Sequence, residues 1–335
     1  MILCFGTRPE WLKIKSLYFS SPSVKLYFTG QHKDLIDLEI DESRLITSSI
    51  SNFTYSRLNN IIASVLIDFS IKSEDYNHVL VQGDTASAFA CALAAFNLNK
   101  QIIYLESGLR SFNIDHPYPE EGYRQMISRI ANINLCPTNL SLENLKKENI
   151  LGKSFVVGNT ILDNLNQIKL NSKYENHVII TLHRRENKEI MSKWINSIIE
   201  VCSKIDDVTF YFIKHPNHNY SKINSYTKNL KFINPLPHNE FIELFKNSKF
   251  VITDSGGLQE EGSFLNKKII VCRKVTERPE GIDSGHIVMC RAPYLLKKLA
   301  IQINDNFNIT NLCPYGEGDS SKRIAKIFLE NDIPF

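Results

Sequence analysis

Short apolar runs recur along the chain, separated by longer stretches with helical spacing. The runs are MILCF, VKLYFTG, HVLVQGD, QIIYLES, INLCPT, SFVVGNT, HVIITLH, VTFYFIKH, KFINPL, FVITDSGG and KIIVCR. They are rich in β-branched and aromatic residues and continuous rather than alternating, which predicts strands covered on both faces. The stretches between them predict helices over Pro9 to Phe19, Thr85 to Asn97, Glu120 to Ile133, Ser141 to Glu148, Glu189 to Lys204, Asn239 to Lys246 and Leu258 to Leu265. Strands alternating with helices in this way build parallel sheets, so the fold class is α/β. The polar stretch Gln167 to Asn176 is the best candidate for a linker, with six strands before or at it and four or five after. Two doubly wound domains, 1–166 and 167–319, are therefore expected, with a central cleft. A last helix within 320–335 is expected to pack back on the first domain.

The polar residues gather where the strands end. HVLVQ runs into Gly83-Asp84-Thr85, IIYL into Glu106-Ser107-Gly108, and VIITL into His183-Arg184-Arg185-Glu186. FYFIK ends at His215-Pro216-Asn217, FVIT at Asp254-Ser255-Gly256-Gly257, and the first strand at Gly6-Thr7-Arg8-Pro9-Glu10. Open α/β sheets bind ligands outside the carboxyl ends of their strands. One such polar end is usually a helix cap, but six of them, three from each half, point to a site in a cleft. In DSGGLQEE, paired glycines before a helix allow close approach of backbone N–H groups to a phosphate, and a following carboxylate suits a ribose diol. The turn is neither a GxGxxG fingerprint nor a P-loop, which weakens hydride transfer and ATP hydrolysis. The segment HPYPEEGYR reads first as an acidic helix start. Glu120 or Glu121, with Asp84 and Glu106, also makes a set of three carboxylates suited to proton transfer at a sugar carbon.

Composition narrows the classes. The 335 residues exceed the size at which one core usually stops growing. A net charge of +3 gives no argument for nucleic acid or a membrane surface. Seven scattered cysteines without a CxxC pair suggest reduced, packed thiols rather than a disulfide framework or a zinc site. His183 and His215 lack metal-ligand spacing, so no metal is expected. Without a signal-like start or an apolar run of the roughly 20 residues a bilayer demands, the expectation is a soluble cytoplasmic protein.

Nine blocks then carry a resemblance: GTRPE (6–10), QGDT (82–85), ESGLRS (106–111), PYPEEGYR (117–124), GNTILDNL (158–165), HRREN (183–187), HPN (215–217), DSGGLQEE (254–261) and TERPEG (276–281). In order and spacing the chain resembles the non-hydrolysing UDP-N-acetylglucosamine 2-epimerase family from residue 1 to about 320. The resemblance implies two Rossmann-like domains arranged as in GT-B glycosyltransferases. It also implies inversion at C2 of a UDP-linked N-acetylhexosamine by elimination and re-addition of UDP, with no cofactor and no metal, in a homodimer. By the matched motifs, Asp84, Glu106, Glu120 and His183 occupy catalytic positions. Arg8, Arg124, His215, Ser255, Gly256, Gly257 and Glu261 occupy substrate- or UDP-holding positions, with Arg278 close to the same pocket. Glu121 keeps mainly a capping role.

The chain departs from the family pattern at several points. Tyr123 stands where Asn is usual, Ser107 replaces Ala, Lys274-Val275 replace Asp-Thr, and Lys33-Asp34 alter a region linked to an effector site in bacterial members. Tyr123 and the altered loops leave a 6-deoxy analogue of the sugar open. A hydrolysing 2-epimerase releasing ManNAc and UDP, and a GT-B glycosyltransferase using a UDP-sugar donor, are the alternatives.

Overall fold

In the computed structural model, residues 1–32, 40–48, 56–167, 175–184, 187–214, 227–306, 309 and 311–335 are described. The chain divides into two units, Met1–Asn166 with Gly316–Phe335, and Gln167–Tyr315.

The first unit holds β1 (Ile2–Phe5), α1 (Arg8–Ser20), β2 (Lys25–Phe28), β3 (Leu45–Thr47), α2 (Arg57–Lys72), β4 (His78–Gln82), α3 (Ala86–Asn97), β5 (Gln101–Leu105), α4 (Glu120–Ile130), β6 (Ile133–Cys136), α5 (Asn139–Lys147), β7 (Lys153–Val156) and α6 (Ile161–Gln167). Its strands are all parallel, in the order β3-β2-β1-β4-β5-β6-β7. The second unit holds β8 (His177–Thr181), α7 (Met191–Lys204), β9 (Thr209–Ile213), β10 (Leu230–Ile233), α8 (His238–Asn247), β11 (Phe250–Thr253), α9 (Gly257–Phe264), β12 (Lys268–Val271), α10 (Glu280–Asp283), β13 (Ile287–Met289) and α11 (Leu296–Asp305). Its parallel strands run β10-β9-β8-β11-β12-β13. The closing helix, α12 (Ser320–Glu330), belongs to the first unit.

The central strands β1, β6 and β11 are buried along their whole length, as their unbroken apolar runs require. Helices cover both faces of the first sheet, giving one core around Tyr27, Phe69 and Tyr104 and another around Trp11, Tyr18 and Phe328. Trp194, Phe210, Phe212 and Phe250 anchor the main core of the second. Each fully buried Ile, Leu or Phe contributes about 1.5–3 kcal/mol relative to exposure. α3 is rich in alanine, and such short side chains allow its neighbours α2 and α4 to approach closely.

Two short strands, β3 and β13, and helices α2, α6, α10 and α11 were not anticipated from sequence. The helix at Glu120 ends at Ile130 rather than Ile133, because Ile133 begins β6 and pairs with Ile103. Most of the expected linker lies outside the described residues. No described helix is long and apolar enough to cross a membrane.

Candidate active site

The first sheet reverses its strand order between β1 and β4, the second between β8 and β11. Such reversals open a crevice at the carboxyl ends of the strands.

In the first unit the turns after β1, β4 and β5 carry Arg8, Asp84 and Glu106, and α4 opens on Glu120. The β1 turn is tightly defined. A Cβ on Gly6 would lie 2.3 Å from both Ser87 Oγ and Thr29 Oγ1, so only glycine fits there. Thr7 and Glu10 form a capping box at the start of α1. Glu10 Oε2 accepts from the Gly6 and Thr7 amides at 2.8 and 2.7 Å, and Oε1 accepts from the Thr85 hydroxyl at 2.5 Å. One buried carboxylate thus joins the turn bearing Arg8 to the turn bearing Asp84. Burial pushes its pKa up to about 6, against the downward pull of hydrogen bonds from Thr85, Gly6 and Thr7.

Asp84 Oδ2 lies 2.5 Å from Arg124 Nη2. Glu106 is engaged by Lys13 Nζ and by Gln82 Nε2. Its carboxylate also approaches Gly83, whose added Cβ would lie 4.0 Å from Glu106 Oε2. Glu106 holds φ at +68°, a left-handed conformation costing a non-glycine residue roughly 1–2 kcal/mol, and such strain concentrates at functional positions. Glu120 lies one helical turn before Arg124 on α4, and its Oε2 is buried without a hydrogen-bond partner among the described residues. Asp84 and Arg124 therefore meet beside Glu106 at the β1/β4 reversal, with Glu120 one helical turn before Arg124 on the same helix. Arg8 is exposed on the first turn of α1.

Glu121 is no helix cap. It is fully buried, accepts from the Ser111 amide at 3.0 Å and Gln125 Nε2 at 3.0 Å, and lies 3.4 Å from Arg124 Nη1. Its position on α4 points it inward, where it braces the loop before the helix and the guanidinium that meets Asp84. Tyr123 is buried too, its ring stacked on Phe89 of α3 at 5.1 Å between centroids.

In the second unit the β8 and β11 turns meet through Asp254, which is wholly buried. It accepts from the His183 amide at 3.0 Å, the Arg184 amide at 2.9 Å and Asn187 Nδ2 at 2.9 Å, and its Oδ1 lies 3.3 Å from His183 Nδ1. The His183 side chain is 36% exposed and so reaches solvent. Ser255, Gly256 and Gly257 follow, and α9, with Gly256 at its N-cap, begins without a side-chain cap among the described residues. A Cβ on Gly256 would come within 2.8 Å of Arg278 Nη1, so the guanidinium packs directly on this turn. Arg278 Nε donates to Glu260 Oε1 at 2.6 Å, and Nη1 meets Glu277. Glu261 is buried on α9. His215 lies outside the described residues, as do Arg185, Glu186, Lys33 and Asp34.

Sequence reasoning gave no individual role to Lys13, Gln82, Asp254 or Asn187, although the last three lie inside the polar blocks it marked. A lysine inside the apolar helix WLKIKSLYF was a usable signal, because a buried ammonium demands a partner. The others act by pairing with residues distant in sequence, which spacing does not reveal.

Residues 20–329 match the family model described as UDP-N-acetylglucosamine 2-epimerase. The Salmonella borreze UDP-N-acetylglucosamine 2-epimerase is 31% identical, over 98% of this chain and 98% of that protein. The structure of the Neisseria meningitidis UDP-GlcNAc 2-epimerase bound to UDP-GlcNAc is similar at 30% identity and a TM-score of 0.88, covering 98% of this chain and 99% of that one. That of S. aureus MnaA with UDP has 28% identity and a TM-score of 0.89, covering 99% and 97%. A kitacinnamycin glycosyltransferase, 10% identical with a TM-score of 0.63, shares the fold alone. With its two parallel sheets and a family match across nearly its whole length, the chain belongs to the UDP-N-acetylglucosamine 2-epimerase family.

Proposed function

We propose that this protein inverts C2 of a UDP-linked N-acetylhexosamine, converting UDP-GlcNAc to UDP-ManNAc and back by eliminating and re-adding UDP. The observation that carries this reading is the pairing of Asp84 with Arg124 and of Glu106 with Lys13 at the β1/β4 reversal, with Glu120 one helical turn before Arg124. A carboxylate takes the C2 proton while the C1–O bond breaks, and UDP leaves with the bonding electrons, giving a 2-acetamidoglucal. A proton then returns to C2 on the other face and a diphosphate oxygen re-forms the bond to C1. The sequence is redox-neutral and consumes nothing.

Asp84, Glu106, Glu120 and His183 take part in the chemical step. Two of the carboxylates are engaged by a buried cation, whereas Glu120 keeps an oxygen that no described group claims. Different surroundings for paired carboxyl groups are what an acid and a base working in turn require. Arg8, Arg124, His215, Ser255, Gly256, Gly257, Glu261 and Arg278 hold the substrate, the uncapped start of α9 supporting a phosphate there. The proposal extends to a homodimer in the cytoplasm, as the family resemblance implies.

Incubation with UDP-GlcNAc in heavy water, followed by proton NMR, should show deuterium at C2 and a manno product. No exchange with UDP-GlcNAc or a 6-deoxy analogue overturns the reading. Accumulating free UDP with ManNAc replaces it with hydrolytic epimerisation.

A further inference from the structure

We propose that Asp254 is a positioning residue for His183, fixing both the turn that carries the imidazole and the tautomer of the ring. The inference rests on the reading above, in which His183 takes part in the chemical step. Asp254 stands at the carboxyl end of β11, beside β8, and is wholly buried. Its two oxygens divide the work. Oδ2 accepts from the Arg184 amide at 2.9 Å and Asn187 Nδ2 at 2.9 Å, and both oxygens lie 3.0 Å from the His183 amide. Oδ1 is also turned toward the ring, 3.3 Å from Nδ1.

A carboxylate that served only to staple the two turns would need no contact with the imidazole. Here it addresses main chain and ring together, so the ring is held by the same group that shapes its turn. Facing a carboxylate, Nδ1 of a neutral imidazole carries the hydrogen and Nε2 becomes the acceptor. The carboxylate is itself held. Asn187 Nδ2 also donates to the Cys272 carbonyl at 3.0 Å, and Asn187 Oδ1 accepts from Trp194 Nε1 at 2.9 Å. The ends of β8, β11 and β12 are thereby stitched behind one ring. In the reaction, His183 Nε2 meets the substrate, alternately holding and releasing a proton as charge develops and is lost on the departing diphosphate. Asp254 touches neither proton nor substrate and acts through the ring's orientation.

The test reads the ring directly. The full chain labelled with ¹⁵N-histidine is examined by two-bond ¹H–¹⁵N NMR at a pH where the ring is neutral, with His183→Gln identifying the signal. An Nδ1–H tautomer in the wild type, lost or mixed in Asp254→Asn, is the expected result. Asp254→Asn should also lower kcat on the order of 10²-fold or more while KM and UDP affinity stay within a few-fold. An Nε2–H tautomer in the wild type overturns the proposal, as does a tautomer unchanged in a folded Asp254→Asn. Should Asp254→Asn fail to fold, the wild-type tautomer decides alone. Because that measurement needs no turnover, failure of the epimerase reading and failure of the positioning role give separate signatures.

Discussion

Both sheets reverse strand order once near the middle, and at each reversal a buried carboxylate ties together the two turns that leave it. The ties differ in what they hold. In the first unit Glu10 grips only main-chain amides and two threonine hydroxyls, leaving Asp84 and Glu106 to be oriented by Arg124, Lys13 and Gln82. In the second unit Asp254 grips two amides and an asparagine, and its Oδ1 also stands 3.3 Å from Nδ1 of the imidazole. The first arrangement separates the scaffold from the reactive groups, whereas the second merges them. Loss of the first tie should therefore act mainly on stability, and loss of the second mainly on turnover.

The largest effect should come from the reactive groups alone. Glu120→Gln is expected to lower kcat by about 10²–10⁴-fold, the span of general acid–base catalysis, with UDP affinity within a few-fold by calorimetry. Loss of UDP binding would instead move Glu120 to the nucleotide. Next is the glycine pair before α9. A Cβ on Gly257 meets nothing within 4 Å among the described residues, so Gly257→Ala should leave the melting temperature unchanged. It should still weaken UDP several-fold by filling the space through which a phosphate approaches the amides. Unchanged UDP affinity would remove the phosphate from that turn.

The tie in the first unit predicts a pH signature. Because the folded-state pKa of Glu10 is raised from 4.5 to about 6, the folded protein holds that proton where the unfolded chain has released it. The stabilising contribution is complete below about 4.5 and is lost as pH rises through about 6, a change of about 2 kcal/mol. Urea unfolding from pH 4.5 to 7 should show this fall in the wild type and not in Glu10→Gln; parallel curves would break the contrast between the two ties. The smallest effect is expected for Arg8→Ala, at an exposed position. Its stability should match the wild type, while steady-state kinetics show the apparent substrate constant raised a few-fold and C1–O cleavage slowed, because the departing diphosphate loses a stabilising cation.

The sequence made legible whatever depends on one stretch at a time. Continuous apolar runs placed the long strands, and polar residues at their ends marked the two reversals. Three-residue strands such as β13 carry too few positions for a pattern. Helix α2 mixes apolar residues on several faces and leaves Ile67 and Ile71 exposed, so it reads as strand-like as much as helical. Partners were hidden for a different reason. Lys13 meets Glu106 across 93 positions, and Asp254 meets the His183 amide across 71. Tyr123 was singled out for substrate choice because it replaces a family Asn, yet it packs on Phe89 in the α3–α4 layer. Local reading sees that a residue is unusual without seeing which way the helix turns it.

The closing helix has a consequence for how the molecule is made. Asp163, on α6, accepts from the amides of Ser320 and Ser321 at 2.9 and 2.6 Å and from the Ser321 hydroxyl at 2.5 Å, and that hydroxyl lies 2.7 Å from Ser16 Oγ. Phe328 and Ile324 fill the core that α1 began. During synthesis the amino-terminal unit emerges first but stays unfinished until the whole carboxyl-terminal unit has left the ribosome. The second unit can close while the first still waits with an open seam along α1 and α6. A chaperone that recognises nascent chains would meet the earliest-made half of this protein in its least complete form.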